Sequence, residues 1–489
     1  MELGTRSATR HSMRKDAHFL LGVLGLLALL HGGPAARASE SNADSVQSTQ
    51  RTQSQAQPPG RMMTLKEALA YAQQHQPSLL AARSRIVAAQ KAARSIRAEW
   101  LPQLGVTAQV FYGTMNNSTA MFLGVRTVDL PRIGGSRSDG GFGDSYPSSV
   151  VALGLRQNVW DFGRLAALSL AADAETTVYV HRATQEGLQV ALQVESLYYA
   201  VLAAKAVARA AEDAYQRASL RREMVLAGVS RGLRATIDLT RAEADLTRFE
   251  VGRLRARGGI ETAQALLAAA VGIPELLLDT TGSMEESAPL PLFGEALQQA
   301  LTRDPGLLAA LAKLSAQQAL TRATTLQLAP TVSLTAGVSG RAGGAPQNSG
   351  PSGQSGWLPT VPNWDIGLVL QAPIFDGVVL ARRSQSQAVE EVLRQEVSLT
   401  RRRLLAEIQG AYITFHTAQS SLPALVVATD TALKNYEQAS ARFRAGLSTS
   451  IELADAEALR TDAEIQLAIG HVEVARARAA VGRSIAQGL

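Results

Sequence analysis

Hydrophobic and polar positions alternate strictly in four short stretches of the chain and follow helical spacing through most of the remainder. In 331–339, Val332, Leu334, Ala336 and Val338 share one face, with Ser333, Thr335 and Gly337 on the other. In 104–112, Leu104, Val106, Ala108, Val110 and Tyr112 oppose Gly105, Thr107, Gln109 and Phe111. The stretches 151–159 and 364–372 repeat the pattern, with Val151, Leu153 and Leu155, and Trp364, Ile366, Leu368 and Leu370, on their apolar faces. A period of two predicts strands, because successive side chains point to opposite sides of a pleated backbone. Four strands of about nine residues fit either a half-buried soluble sheet or the wall of a membrane barrel, with Tyr112 and Trp364 placed as interfacial aromatics.

The pattern occurs twice. Residues 65–110 align without gaps on 293–338: Glu67-Ala68-Leu69 fall on Glu295-Ala296-Leu297, Pro77 on Pro305 and Pro102 on Pro330. A second block matches 214 residues later, placing Tyr198 on Tyr412, Gly232-Leu233 on Gly446-Leu447, Ile237-Asp238 on Ile451-Glu452 and Ala242-Glu243 on Ala456-Glu457. Each half reads helix, strand, loop, strand, long helix, turn, helix. Two structural repeats are expected at 62–273 and 293–489, joined by a linker at 274–292, with loops at 113–149 and 340–363.

The expected fold is mainly α-helical with a small transmembrane β part. Pro77 and Pro305 suit the first turn of a helix, where the missing N–H is harmless. No strong breaker apart from Gly163 and Gly187 interrupts 161–227, so one helix there reaches about 100 Å. Its apolar residues fall in two stripes, Leu188, Leu192, Tyr199 and Leu202, and Val190, Val194, Leu197 and Val201, which suits a helix gripped on both flanks. Four strands cannot close a barrel, since the smallest membrane barrels have about eight. An open edge in lipid leaves backbone groups unpaired at several kcal/mol each. In a bilayer, several copies must therefore share one barrel.

The N-terminus supplies the compartment. A basic stretch precedes the 12-residue apolar run Phe19–Leu30 and the small-residue site Ala36-Arg37-Ala38. That run is too short to span a membrane and has the length of an export-signal core. Residues 1–38 are expected to be a signal peptide and 39–61, rich in Ser, Gln, Thr and Asn, a disordered leader. Half of the net charge of +6 lies in that signal, so the charge gives no support to a nucleic-acid partner. With no cysteine, the chain has no disulfide, no thiolate metal site and no N-terminal lipid on Cys.

Catalytic chemistry finds little purchase. His75, His181, His416 and His471 stand apart from any second ligand, and neither a P-loop, an HExxH motif nor a dinucleotide fingerprint is present. Gly228-Val229-Ser230-Arg231-Gly232 fits G-x-S-x-G, but a nucleophile elbow needs a strand before it and here a long helix precedes it. The segment reads as a helix–turn–helix tip. Arg401-Arg402-Arg403 marks a solvated helix face, while Asp161 and Asp376 sit where N-caps belong. No catalytic residue, cofactor or metal site is expected. After the two glycine turns come the acids Asp238, Glu452 and Asp455. Thr449-x-x-Glu452 fits a capping box, the plainer role. Copies of these acids brought together by symmetry would instead ring an aperture and favour cations.

Taken together, the stretches TLKEALAYAQQHQPSL, EWLPQL, LRQNVWDFGR and APIFDG, with the paired tips GLRATIDLTRAEADL and GLSTSIELADAEAL, resemble the TolC-type outer-membrane efflux family over nearly all of 62–487. The resemblance implies a homotrimer whose chains each give four strands to a 12-stranded barrel in outer-membrane lipid, continuous with a periplasmic tunnel of helices. It implies docking with a periplasmic adaptor and an inner-membrane RND or ABC transporter, for efflux or type I secretion. Glu452 and Asp455 then match the family's aperture ring, and Asp238 the aspartate that helps to hold the closed tips. Gly232-Leu233 and Gly446-Leu447 match the turns against which adaptor hairpins dock. The pattern departs at Phe443 and Ser448, where TolC itself has a tyrosine and an arginine that keep the entrance shut, so this chain is expected to close by different contacts. The rivals are an exported coiled-coil structural or adhesive protein, which needs no alternating strands, and an exported enzyme, which needs a constellation the sequence lacks.

Overall fold

The computed structural model describes residues 61–114, 145–273, 278–281, 289–343 and 361–486. The expected signal peptide lies outside these residues, as does the leader apart from Arg61, which opens a strand. In chain order the elements are β1 (Arg61–Met63), α1 (Leu65–His75), α2 (Pro77–Arg97), β2 (Gln103–Thr114), β3 (Ser145–Trp160), α3 (Arg164–Ser230), α4 (Thr236–Val271), β4 (Leu278–Thr280), α5 (Phe293–Arg303), α6 (Pro305–Thr325), β5 (Thr331–Gly343), β6 (Val361–Gln371), α7 (Gly377–Arg444) and α8 (Ser450–Ser484). They form two compact units. One holds the four long strands and the other nearly all of the helix, so each unit draws on both halves of the sequence.

In the strand unit, β2-β3-β5-β6 make one antiparallel sheet. The strands are 12, 16, 13 and 11 residues long, longer than their alternating cores. Pairing of β2 with β3 continues to Thr114 opposite Ser145, and pairing of β5 with β6 to Arg341 opposite Val361. The ends of the segments expected as loops are therefore strand, because ladder hydrogen bonds need no side-chain pattern once a register is set. A bulge between Asn158 and Trp160 shifts the β3–β5 register near the end of β3.

The burial of this sheet is inverted relative to a soluble one. Leu104, Val106, Leu153, Val338, Trp364, Ile366, Leu368 and Leu370 are 50–77% exposed. Thr107, Ala152 and Ser333, on the opposite face, are buried. Ser333 donates to Asn158 Oδ1 at 3.4 Å, so polar groups on the sheltered face meet each other. Asp161 follows β3 and caps α3, accepting from the N–H groups of Gly163 at 3.1 Å and Leu165 at 2.7 Å.

In the helical unit, two clusters share one plan. Val190, Val194, Tyr198 and Val271 pack with Ala68 and Ala72 of α1. Their counterparts 214 residues on, Leu404, Ile408, Tyr412 and Ile485, pack with Ala296 and Ala300 of α5. Thr64 closes the start of α1 with a reciprocal capping box to Glu67. The parallel pair β1–β4 draws the linker onto the first cluster. There Tyr198 Oη donates to Thr281 O at 2.6 Å, and Tyr412 Oη donates to Pro291 O at 2.7 Å. Burial opposes ionisation of Asp279, but its bonds with Lys205 and the Thr280 N–H outweigh that and hold the carboxyl below its usual range. Gly470 lets α8 pass α7 closely: a Cβ there would lie 2.5 Å from Leu425 Cδ1.

Candidate functional site: the paired hairpin tips

Helices α3 and α4 form one hairpin, α7 and α8 a second, and their turns are built alike. Gly232 (φ +69) and Gly446 (φ +75) take the left-handed conformation that ends a helix. Leu233 N–H then reaches Gly228 O and Leu447 N–H reaches Arg442 O, at 2.9 and 2.8 Å. In such a turn the next apolar residue commonly packs back on its helix. Here Leu233 and Leu447 stay 77% and 72% exposed. Ser230 is the last residue of α3 and its Oγ donates to Ala227 O at 3.0 Å, so G-x-S-x-G is a helix end.

Asp238 and Glu452 fall in the first helical turns after these tips, and Asp455 in the second turn of α8. Asp238 is half-buried on α4 and accepts from Ser450 Oγ at 2.8 Å, a bond from one hairpin to the other. Glu452 and Asp455 are exposed on α8, and neither makes an ion pair among the described residues. Thr449 Oγ1 accepts from the Glu452 N–H at 3.3 Å without the reciprocal bond, so the cap is half of a capping box.

Phe443, one of the two departures from the family pattern, is met by an arginine of the first hairpin. Ser448 is equivalent by sequence to Arg234 of the first hairpin. The Arg234 guanidinium lies 3.7 Å from the centre of the Phe443 ring and donates to Phe443 O at 2.9 Å. A Cβ at Gly228 would stand 3.0 Å from Arg234 Cδ, so that glycine leaves room for the arginine stem. Phe443, Leu453, Val225 and Ala242 form a small core beneath these bonds.

Deeper in the hairpins lies a set of charges not anticipated from the sequence. Arg221 is 3% exposed and bridges two carboxylates: Nη1 donates to Glu457 Oε2 at 2.9 Å and Nη2 to Asp245 Oδ2 at 2.7 Å. One helical turn back, Arg217 lies 3.6 Å from Glu457 and 3.7 Å from Glu464 and donates to Thr461 Oγ1 at 3.3 Å. Burial pushes the Glu457 carboxyl above its usual range, Arg221 and Arg217 hold it down, and Asp245 adds a smaller upward push. The signal for this set was the i, i+4 arginines 217 and 221 on α3 beside the i, i+4, i+7 positions 457, 461 and 464 on α8. Nothing in either stripe alone shows that the two face each other.

A sheet with its apolar side exposed, joined in sequence to long helical hairpins, defines the class of outer-membrane export channels. The chain belongs to the outer membrane efflux protein family, whose model matches residues 68–273 and 296–487. Among solved structures, it is similar to the outer-membrane channel OprN, at 20% identity and TM-score 0.70 over 94% of this chain and 99% of that one. It is similar to VceC from Vibrio cholerae, at 20% identity and TM-score 0.67 over 87% and 96% of the two chains. The CmeC channel of Campylobacter jejuni matches at 14% identity and TM-score 0.71 over 92% and 94%. No curated protein sequence matches the chain significantly. The protein is thus a mainly helical, TolC-like outer-membrane exit channel with a periplasmic extension.

Proposed function

We propose that three copies close one 12-stranded barrel and work as the passive duct of a tripartite efflux or type I secretion system, gated at the helical tips. The observation that carries this reading is the inverted sheet. Its exposed apolar face suits lipid, while β2 and β6 end the sheet with edges unpaired among the described residues, and lipid tolerates no such edge. Residues 62–273 and 293–489 are two repeats of one design, so a trimer presents six hairpins. Asp238, Glu452 and Asp455 belong to the aperture, with Asp238 tied to Ser450 in the closed state. The exposed leucines beside Gly232 and Gly446 are knobs for a periplasmic adaptor, which couples the duct to an RND or ABC transporter of the inner membrane. An adhesive coiled coil would leave the lipid-suited sheet without a use.

Reconstitution tests this. The unheated protein should migrate anomalously on a gel as a trimer and conduct ions across a planar bilayer. Glu452→Gln with Asp455→Asn should lower the cation preference of that conductance. Unchanged selectivity would leave these acids only a favourable charge near the N-terminus of α8. A monodisperse, detergent-free single subunit would overturn the reading.

A further inference from the structure

The conduit reading leaves a buried charge cluster unexplained, and the inference drawn from that cluster rests on the reading. We propose that Arg221 is a positioning residue of the gate: it is shared between the two hairpins and sets how readily they part by making the burial of Glu457 tolerable.

Four observations carry this. First, Glu457 is 1% exposed, yet its counterpart Glu243 is a surface residue paired with Arg222 at 3.2 Å. The sequence supplies a glutamate to both hairpins and the fold buries only one of them. Second, Glu457 is poorly satisfied: its Oε1 has no hydrogen bond, and Arg217 Nε, 3.6 Å away, has none either. A buried ion pair with an unfilled lone pair adds little stability, since desolvation offsets its attraction. Third, Arg221 holds Asp245 of its own hairpin at 2.7 Å while it holds Glu457 of the other. If the hairpins part, the arginine keeps a partner and the carboxylate regains water. Fourth, clefts of about 240 and 340 Å³ flank the bridge on its α4 and α7 sides, so water has room to enter as the helices separate. Closure is therefore a balance. Arg221 favours it, while the unsolvated charge of Glu457 and the crowding by Asp245 oppose it.

A simple stabilising salt bridge predicts that neutralising either acid loosens the hairpins. The shared arginine predicts the reverse, because each acid variant still leaves Arg221 one carboxylate partner. The absence of cysteine makes the measurement clean: spin labels at Arg231→Cys and Ala445→Cys, both exposed, report hairpin separation in the purified full-length protein. Arg221→Met should raise the separated population roughly tenfold, the scale set by one charge-assisted hydrogen bond. Adding Glu457→Gln to Arg221→Met should bring it back towards the parent. Asp245→Asn and Glu457→Gln alone should each narrow the distribution, and they decide the matter should Arg221→Met fail to assemble. Widening by either acid variant, no change with Arg221→Met, or no rescue in the double variant overturns the proposal. Planar-bilayer conductance of the same samples separates the two claims. Distances that respond as stated in a protein that never conducts would sink the conduit and leave the bridge, whereas a conducting protein with unmoved distances would sink the bridge.

Discussion

The two hairpins share a turn geometry, a positive-φ glycine and an exposed leucine, yet they meet as unequal partners. The first hairpin reaches out: Arg217, Arg221, Arg234 and Asp238 all extend to the second. The second receives, and buries Phe443, Ser450, Leu453 and Glu457 at the junction. Their counterparts Val229, Leu239 and Glu243 are half-buried or exposed. Equivalent positions of the two hairpins can therefore differ in burial, with these four favouring the second hairpin and Val225, fully buried while its counterpart Ala439 is half-buried, favouring the first. In the proposed gate, the second hairpin then carries the residues that lose or regain water as the two part.

The comparison breaks most sharply at Phe443. Phe443→Ala removes a ring that is 2% exposed and should cost about 3–5 kcal/mol of tip stability, whereas Val229→Ala should cost about 1 kcal/mol. Thermal melts of the solubilised protein would register both, and equal losses would erase the distinction between the two positions.

Next comes the relocated arginine. Arg234→Ala loses a ring stack and a carbonyl bond and should loosen the hairpins by about 1–3 kcal/mol. The equivalent change Ser448→Ala removes a buried hydroxyl without a partner and should be neutral or slightly stabilising. Spin-label distances would separate the two outcomes.

The glutamates sharpen the contrast through pH. The folded-state pKa of Glu457 is raised above the ordinary 4.5, so the protein binds that proton more tightly than the unfolded chain does. Its contribution is fully present below that ordinary value and is lost as pH rises through the raised one. Melting temperature should accordingly carry a downward slope with pH in that window, shared with the raised carboxyls of Glu195 and Asp304, reduced in Glu457→Gln and unchanged in Glu243→Gln. The smallest contrast is at the glycines. Gly232→Ala and Gly446→Ala should each cost about 1 kcal/mol, because both force a Cβ into the left-handed region, and a marked difference between them would mean that the turns are not equivalent.

Much of this architecture was legible because it rests on local rules. Period-two alternation marked β2, β3, β5 and β6, and the absence of strong breakers marked α3, whereas α7 runs through Pro423. Asp161 and Thr449 cap the helices they precede, although Glu452 does not return the bond and Ala235 starts α4 with no side-chain cap. The acids after the tips could be placed by spacing, and Asp238 alone proved to join the hairpins. Arg221, Asp245 and Glu457 could not be found this way. Their partners stand 24 and 236 residues apart in sequence, and only the packing of α3 against α4 and α8 brings them together.

By itself the sequence determined the four long strands, the long helices and the alternation that suits a sheet to lipid, since each depends on neighbours within a turn or a strand, but not the short pair β1–β4. The tertiary structure decided which face of the sheet stays exposed, which of two equivalent glutamates loses its water and which hairpin supplies the arginines. Those outcomes depend on the desolvation and packing of groups far apart in the chain, and no local pattern encodes them.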